Sequence, residues 1–342
     1  MRDFNYFLGV RGLSRPAILG VRGLSRTEDD LPCLTCSRLT CSRLGAGRAL
    51  AHLALNRVPA LEQTLVADAT WDQARKAVGI CRLLGHVSPS PVSAADLIGR
   101  DECRRWQDLG LLHDDGWGTA WISEQTDGVK RFRTPDHGAD DPRLTAVLDN
   151  DRATGRITHL RMATTGMAEL VENTHPFLAR GIALAHNGSI HPVERLREFV
   201  TPVELAEVGG TTDTAIVFAL ILRRISQGEG LLMATVATVR MLRDVFDHPG
   251  MNLLLLTRQE MIVVHATAGT AIPYDHFDTG PLGGRLPLDH EDHYYRMSWQ
   301  QLPSDAMIVS SSGLEHKGWR LIEQNTAMRL PLTAGSETIV RL

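Results

Sequence analysis

From Ala215 to Leu222 the chain is apolar at every position. The surrounding stretch Thr214–Ile225 therefore reads as a helix with no solvent face, and such a helix must be buried. Leu231–Val245 is a second helix and His191–Val200 a third. Strand-length apolar runs flank them. Asp115-Gly116 and Asp127-Gly128 are tight-turn signals leading into Trp117–Ser123 and Val129–Arg133, which predicts a hairpin. Asn252–Leu256 and Met261–Ala266 predict another. Further strands are expected at Cys81–Val87, Ile157–Arg161, Ile182–His186, Tyr294–Trp299, Ala306–Ser310, Ala327–Pro331 and Thr338–Arg341. Ser93 is placed to cap a helix at Ala94–Ile98, Arg143–Leu148 reads as helical, and residues 267–292 form a long loop. Strands, then helices, then strands, joined by hairpins rather than regular βαβ units, predict an α+β domain of layered antiparallel sheets. No dinucleotide-binding fingerprint or P-loop is present.

Charge divides the chain into two parts. Residues 1–80 carry a net charge of +4 and residues 81–342 a net charge of −8, within an overall −4. That balance gives no reason to expect nucleic acid as a partner. No apolar run approaches the ~18 residues a membrane span needs, so no membrane association is expected. Three of the five cysteines (Cys33, Cys36, Cys41) lie in the first part, leaving only Cys81 and Cys103 in the second. Two thiols make no disulfide framework, and a cytoplasmic location is expected.

The leader, residues 1–80, contains two short duplications. Leu8–Arg15 recurs as Leu19–Arg26, and Leu34–Arg38 recurs as Leu39–Arg43. Neither repeat is long enough to build a solenoid. The Cys33-x-x-Cys36-x4-Cys41 spacing invites a zinc reading, but only the distant His52 offers a fourth ligand, and the third cysteine is a product of the duplication. Arg48–Ala77 has near-helical apolar spacing interrupted by Pro59. The leader is expected to be poorly ordered, and either a propeptide cleaved before Cys81 or a mis-assigned start with initiation at position 80.

The chemistry-bearing residues stand at strand ends. A lone cysteine on an apolar strand, such as Cys81, is ordinarily a small buried hydrophobe. Arg161 ends a strand and is followed by Ala163, Thr164, Thr165 and Gly166. An arginine fork with neighbouring hydroxyls suits a carboxylate, although a single arginine at a strand end is ordinarily a surface residue. Asn187-Gly188 is a turn dipeptide when isolated, and equally an amide side chain beside a glycine N–H, the makings of an oxyanion hole. Asp213 opens the buried helix, where it either compensates the helix dipole or pairs with a ligand ammonium group. His290-Glu291-Asp292-His293 has metal-ligand types but lies in a Gly/Pro-rich loop, and His113-Asp114-Asp115 is a turn near the cleft. No metal or cofactor is expected.

Taken together, Cys81-Arg82-Leu83-Leu84-Gly85, His159–Gly166, Glu172–Phe177, His186–Ile190 and Thr212–Thr214 resemble, in order, the motifs of the class II glutamine amidotransferases, a family of N-terminal-nucleophile (Ntn) hydrolases. Ser310–Leu314 and Gly318-Trp319 are similar to the C-terminal signature of its stand-alone branch, which includes the ergothioneine-pathway γ-glutamyl hydrolases. The resemblance covers residues 81–342 and implies a four-layer αββα sandwich. It implies Cys81 as nucleophile, Asn187 and Gly188 as oxyanion hole, and Arg161 with Thr164 and Thr165 on a substrate α-carboxylate. Asp213 would bind the α-amino group, and His175 and His186 would support the site. Met162, Thr165 and Ala215 depart from the sugar-amidotransferase pattern.

The activity so implied is hydrolysis of a γ-glutamyl amide, glutamine or a γ-glutamyl conjugate, through a Cys81 thioester. The α-amino group of Cys81 would act as base, and a free α-amine with a pKa near ~8 suits that duty. Two alternatives remain. One is the ammonia-donating glutaminase subunit of a two-protein amidotransferase with a separate synthase. The other is a non-catalytic binding protein, if the leader is retained.

Overall fold

A computed structural model describes residues 81–163, 170–272, 293–314, 318–333 and 335–342. The leader with its repeats and cysteines, Thr164, Thr165 and His290–Asp292 lie outside the described residues. In chain order the elements begin with β1 (Arg82–Val92), α1 (Ala94–Ile98), α2 (Arg100–Asp108), β2 (Trp117–Ser123) and β3 (Gly128–Thr134). Next come α3 (Pro142–Asp149), β4 (Ala153–Leu160), β5 (Phe177–Ala179) and β6 (Ile182–Asn187). Four helices follow: α4 (Val193–Arg197), α5 (Pro202–Val208), α6 (Asp213–Ser226) and α7 (Leu231–Val245). The chain closes with β7 (Met251–Leu256), β8 (Glu260–Ala266), β9 (Met297–Gln301), β10 (Met307–Ser311), β11 (Arg320–Leu321), β12 (Thr326–Pro331) and β13 (Thr338–Arg341).

Among the described residues the strands form two sheets. One has the order β11-β9-β10-β1-β4-β2-β3 and the other β13-β12-β8-β7-β6-β5, with every pairing antiparallel. Period-two alternation assigns each strand's side chains to two different cores. On β1, Leu83 faces the second sheet, packing with Leu254, Met261 and Val263. Its neighbour Leu84 faces outward against Cys103, Trp106, Leu144 and Leu148, which α2 and α3 supply. On the second sheet, Leu254 and Leu256 join the inter-sheet core, while Leu253 and Leu255 pack outward with Ile216, Phe218, Val236 and Val239 of α6 and α7. Three stacked cores between four layers follow, which is the αββα sandwich. The sheets approach closely at Gly85, where an added Cβ would lie 2.9 Å from Leu254 Cδ1.

The apolar helix is placed as its composition requires. Asp213 through Leu222 are all buried, and Thr212 caps α6 by accepting the Ala215 N–H at 3.3 Å. Helix α1 starts at a capping box between Ser93 and Asp96. No single described helix is long and apolar enough to cross a membrane.

Some boundaries differ from expectation. Strand β1 continues past Val87 to Val92, because a register shift lets Pro89 and Pro91 sit where no ladder N–H is required. The helix expected over His191–Val200 is shorter, Val193–Arg197, and α5, begun by a Thr201–Glu204 capping box, follows it as a helix outside the expected set. Tyr294 and Tyr295 form a turn before β9 rather than its first residues. Helix α2, Arg100–Asp108, is an addition to the expected set.

Candidate active site

Antiparallel pairing gathers the strand ends. Arg82 of β1 pairs with Leu160 of β4, which brings Cys81, just before β1, beside Arg161, just after β4. From the second sheet, Asn187 ends β6 and Gly188 follows it; Asp213 opens α6. Cys81, Arg161, His175, Gly188 and Asp213 line a common cavity of about 30 Å³, about the volume of one water molecule. Cys81, Arg161, Asn187, Gly188, Asp213, His175 and His186 are thus brought together. Thr164 and Thr165 lie outside the described residues.

Cys81 and Asn187 are linked directly. The Cys81 N–H donates to Asn187 Oδ1 at 3.2 Å, while the Asn187 amide nitrogen is buried and has no hydrogen-bond partner among the described residues. A buried, unused donor on the side chain that holds the Cys81 nitrogen is an exception to the rule that buried polar groups are paired, and such a donor suits an oxygen that gains charge during a reaction. Gly188 has φ +146°, and a Cβ there would meet the Gly250 carbonyl oxygen at 2.2 Å, so only glycine fits.

Burial pushes the Cys81 thiol up to about 12, against the opposing pull of the Arg161 and Arg82 guanidinium groups. The thiol is therefore protonated at neutral pH and needs a base. Its sulfur lies 3.7 Å from the Met162 carbonyl oxygen. The Arg82 guanidinium donates to the Cys81 carbonyl at 3.0 Å and stacks 3.9 Å from the Tyr294 ring centre.

Arg161 is held by a reciprocal backbone pair with the 115–116 turn. Asp115 N–H donates to the Arg161 carbonyl at 3.1 Å, and Arg161 N–H to the Gly116 carbonyl at 2.9 Å. The Arg161 guanidinium donates to the Asp115 carbonyl at 3.2 Å, and the Asp115 carboxylate accepts the Ala163 N–H at 2.5 Å. Asp115 therefore shapes the arginine loop, a role hidden in the sequence behind an ordinary Asp-Gly turn signal.

Asp213 also braces a loop. Its carboxylate accepts the Ile190 N–H at 2.9 Å and the Thr214 N–H at 2.7 Å, tying α6 to the segment that follows Gly188. Asn173 Oδ1 accepts the Thr211 N–H at 3.0 Å on the approach to the same helix. His186 spans the site from behind, with Nε2 2.8 Å from the Gly250 carbonyl and Nδ1 2.8 Å from the Thr214 hydroxyl. A carbonyl only accepts, so Nε2 carries a proton and donates it to the Gly250 carbonyl.

His159, which the sequence offered only as the first residue of a motif, completes a histidine cluster. Its Nε2 is 3.0 Å from His175 Nδ1, and both lie 3.2 Å from the His186 carbonyl. Burial holds His159 at about 3 and His175 well below the ordinary histidine value, so both rings are neutral. Their signal in the sequence is three histidines at strand or motif ends, 11 to 27 residues apart.

Two facing antiparallel sheets flanked by helices, with a cysteine heading a strand of one and Asn-Gly ending a strand of the other, define the Ntn-hydrolase class. The sequence model of the class-II glutamine amidotransferases matches residues 80–330, and the chain belongs to that family. It is accordingly an enzyme of the glutamine amidotransferase type. It is 33% identical over 158 residues to a glutamine–fructose-6-phosphate aminotransferase (isomerizing) of Zymomonas mobilis, covering 44% of this chain and 25% of that protein. The chain thus spans about a quarter of that relative's length. It is 29% identical over 193 residues to the gamma-glutamyl-hercynylcysteine sulfoxide hydrolase of Mycolicibacterium smegmatis, covering 54% of this chain and 80% of that one. In fold it is similar to a glutamine aminotransferase class-II domain protein from Silicibacter pomeroyi. That match has a TM-score of 0.52 at 16% identity and covers 76% of this chain and 99% of the other.

Proposed function

We propose that residues 81–342 form the enzyme's working domain, and that it hydrolyses a γ-glutamyl amide through a thioester on Cys81, once the Cys81 nitrogen is a free α-amine. The observation that carries this reading is the two-ended use of Asn187. Its Oδ1 holds the Cys81 nitrogen at 3.2 Å, and its amide nitrogen is buried and remains unused among the described residues. In the reaction, the α-amine accepts the Cys81 thiol proton and the sulfur attacks the γ-carbonyl carbon. The carbonyl oxygen gains charge and sits on the Asn187 Nδ2–H and Gly188 N–H, donors worth about 3–4 kcal/mol each when aimed at such an oxygen. The ammonium returns the proton to the leaving nitrogen, the C–N bond breaks, and an amine departs. Water, deprotonated by the same amine, then cleaves the thioester to release a free γ-carboxylate.

Arg161, with Thr164 and Thr165, binds the substrate α-carboxylate, and Asp213 binds its α-ammonium through lone pairs left over from the Ile190 and Thr214 bonds. His175 and His186 keep the two loops in register. Within the chain as given, the Cys81 nitrogen is an amide and has no basic lone pair, so residues 1–80 must be absent from the active form. Free, buried Cys81 and Cys103 suit a reducing, cytoplasmic setting. The substrate is glutamine or a small γ-glutamyl conjugate, and the similarity to a γ-glutamyl hydrolase over 80% of that protein's length supports the conjugate. The similarity to an aminotransferase of which only a quarter is matched supports a second reading, in which ammonia passes to a separate synthase.

The experiment is to determine the N-terminus of the protein purified from its native cells, and to assay that protein for glutamate release from glutamine and from γ-glutamyl amides. A mature start at Cys81 with glutamate release is the expected result. An intact leader together with full activity, or a Cys81 start with no glutamate released from any γ-glutamyl amide, would falsify the mechanism.

A further inference from the structure

We propose that Cys81, His159 and His175 form a binding site for one borderline-soft divalent cation, zinc above all, whose occupancy silences the nucleophile. Cys81 Sγ and one ring nitrogen of each histidine all lie within 4.8 Å of one another. All three side chains are buried, at 6%, 0% and 7% exposure. One thiolate and two imidazoles are the donor set that selects zinc and its spectroscopic substitute cobalt(II) over magnesium or calcium.

A second observation points to a ligand. His159 Nδ1 is buried and has no hydrogen-bond partner among the described residues. The His186 carbonyl lies 3.2 Å from both His159 Nε2 and His175 Nδ1, which are 3.0 Å apart, so one proton serves the pair; the His186 N–H, 3.4 Å from His175 Nδ1, favours that atom as the acceptor and His159 Nε2 as the donor. The neutral His159 ring then carries an unused lone pair on Nδ1. Such an atom is satisfied by a proton or by a metal.

Metal–nitrogen and metal–sulfur lengths of about 2.0 and 2.3 Å put tetrahedral ligand atoms roughly 3.3–3.6 Å apart, so gaps of up to 4.8 Å must close by up to about 1.5 Å. Side-chain rotation in a cavity that Cys81 and His175 already line supplies that movement. Arg161 and Arg82 oppose a cation there, whereas Asp115 and the Asp213 carboxylate on the cavity wall favour one. Binding breaks the Cys81 S–H bond, sends the proton to solvent and forms a metal–sulfur bond, with no change in oxidation state. Water fills the fourth position. When Cys81 is the N-terminus, its amine competes for that position and closes a five-membered chelate ring with its own sulfur.

The test uses the full chain with the leader cysteines removed by C33S, C36S and C41S, so that only Cys81 and Cys103 remain, titrated with cobalt(II). One equivalent is expected to produce a thiolate-to-cobalt charge-transfer band and the intense visible bands of tetrahedral cobalt. Cys81→Ser should abolish the charge-transfer band, and His159→Gln or His175→Gln should weaken cobalt binding at least tenfold. X-ray absorption of the zinc-loaded protein, which needs no histidine variant to fold, should show one sulfur and two imidazoles. Absence of the band at stoichiometric cobalt, or a shell containing sulfur without imidazole, overturns the site. Glutamate release is measured separately in EDTA. An enzyme active in EDTA that gives no cobalt band rejects the metal site alone. A cobalt band on a protein whose Cys81-initiated form is inactive in EDTA rejects the proposed hydrolysis alone.

Discussion

The main-chain nitrogen of Cys81 lies 3.2 Å from Asn187 Oδ1, although 106 residues separate the two in sequence. In the proposed mechanism one asparagine therefore orients the nitrogen that serves as base and presents its other end to the carbonyl oxygen under attack. The two functions separate by mutation. Asn187→Asp keeps an acceptor for the Cys81 nitrogen but loses the donor. We expect kcat of the Cys81-initiated enzyme to fall about 100- to 1000-fold with little change in KM, as for other single oxyanion donors. Steady-state kinetics with glutamine would show it, and an unchanged kcat would remove Asn187 from the reaction.

Arg161 and Asp115 should act on binding rather than turnover. Arg161→Lys keeps the charge but loses the planar fork, and KM is expected to rise roughly 10- to 100-fold. Asp115→Ala removes the acceptor of the Ala163 N–H and should raise KM in the same direction by less. If Asp115→Ala changed kcat and left KM alone, its role as a brace of the arginine loop would be wrong.

Gly188 tolerates no side chain. Gly188→Ala must relieve both a positive φ of 146° and a 2.2 Å approach to the Gly250 carbonyl. Strain of this kind costs about 1–3 kcal/mol, and its relief displaces an oxyanion donor. Chemical denaturation should register the stability loss, and turnover should fall further than stability alone predicts.

Acid should destabilise the fold through its buried histidines before its carboxylates titrate. Burial, aided by the Arg156 guanidinium, holds His86 at about 4, below its ordinary 6.5. Between those values the unfolded chain binds a proton that the folded chain does not. Stability therefore falls as pH drops from 6.5 toward 4, by about 1.4 kcal/mol per pH unit for each such histidine. Burial lowers His265 to about 4 in the same way. Urea midpoints measured across this window should slope downward toward acid, and His86→Gln should flatten the slope.

Much of this architecture was legible because strand alternation and strand-end chemistry are local signals. Leu83 and Leu84, or Leu254 and Leu255, announce two faces by adjacency alone, and Arg161 and Asn187 stand where an apolar run stops. Capping boxes were equally readable in principle. Ser93 marks one such start, but Thr201-Pro202-Val203-Glu204 carries the same signature, and the helix it begins is absent from the expected set. Asp115 and His159 were illegible for a different reason. Their partners lie 48 and 16 residues away, on other strands or loops, and nothing near either residue encodes those contacts. The same limit hid the use of Asp213 as an anchor for Ile190.

Because Cys81 and Arg161 issue from one sheet and Asn187 and Gly188 from the other, the distance between the proposed nucleophile and its proposed oxyanion donors is set by the thickness of the apolar filling between the sheets. The site works as a caliper whose jaws are the sheets. Gly85, pressed against Leu254 and Met261, marks one point of closest closure. Enlarging or shrinking side chains in that layer, far from the cavity, should open or skew the jaws by fractions of an ångström. In this enzyme, turnover is then a finer gauge of interior packing than melting temperature.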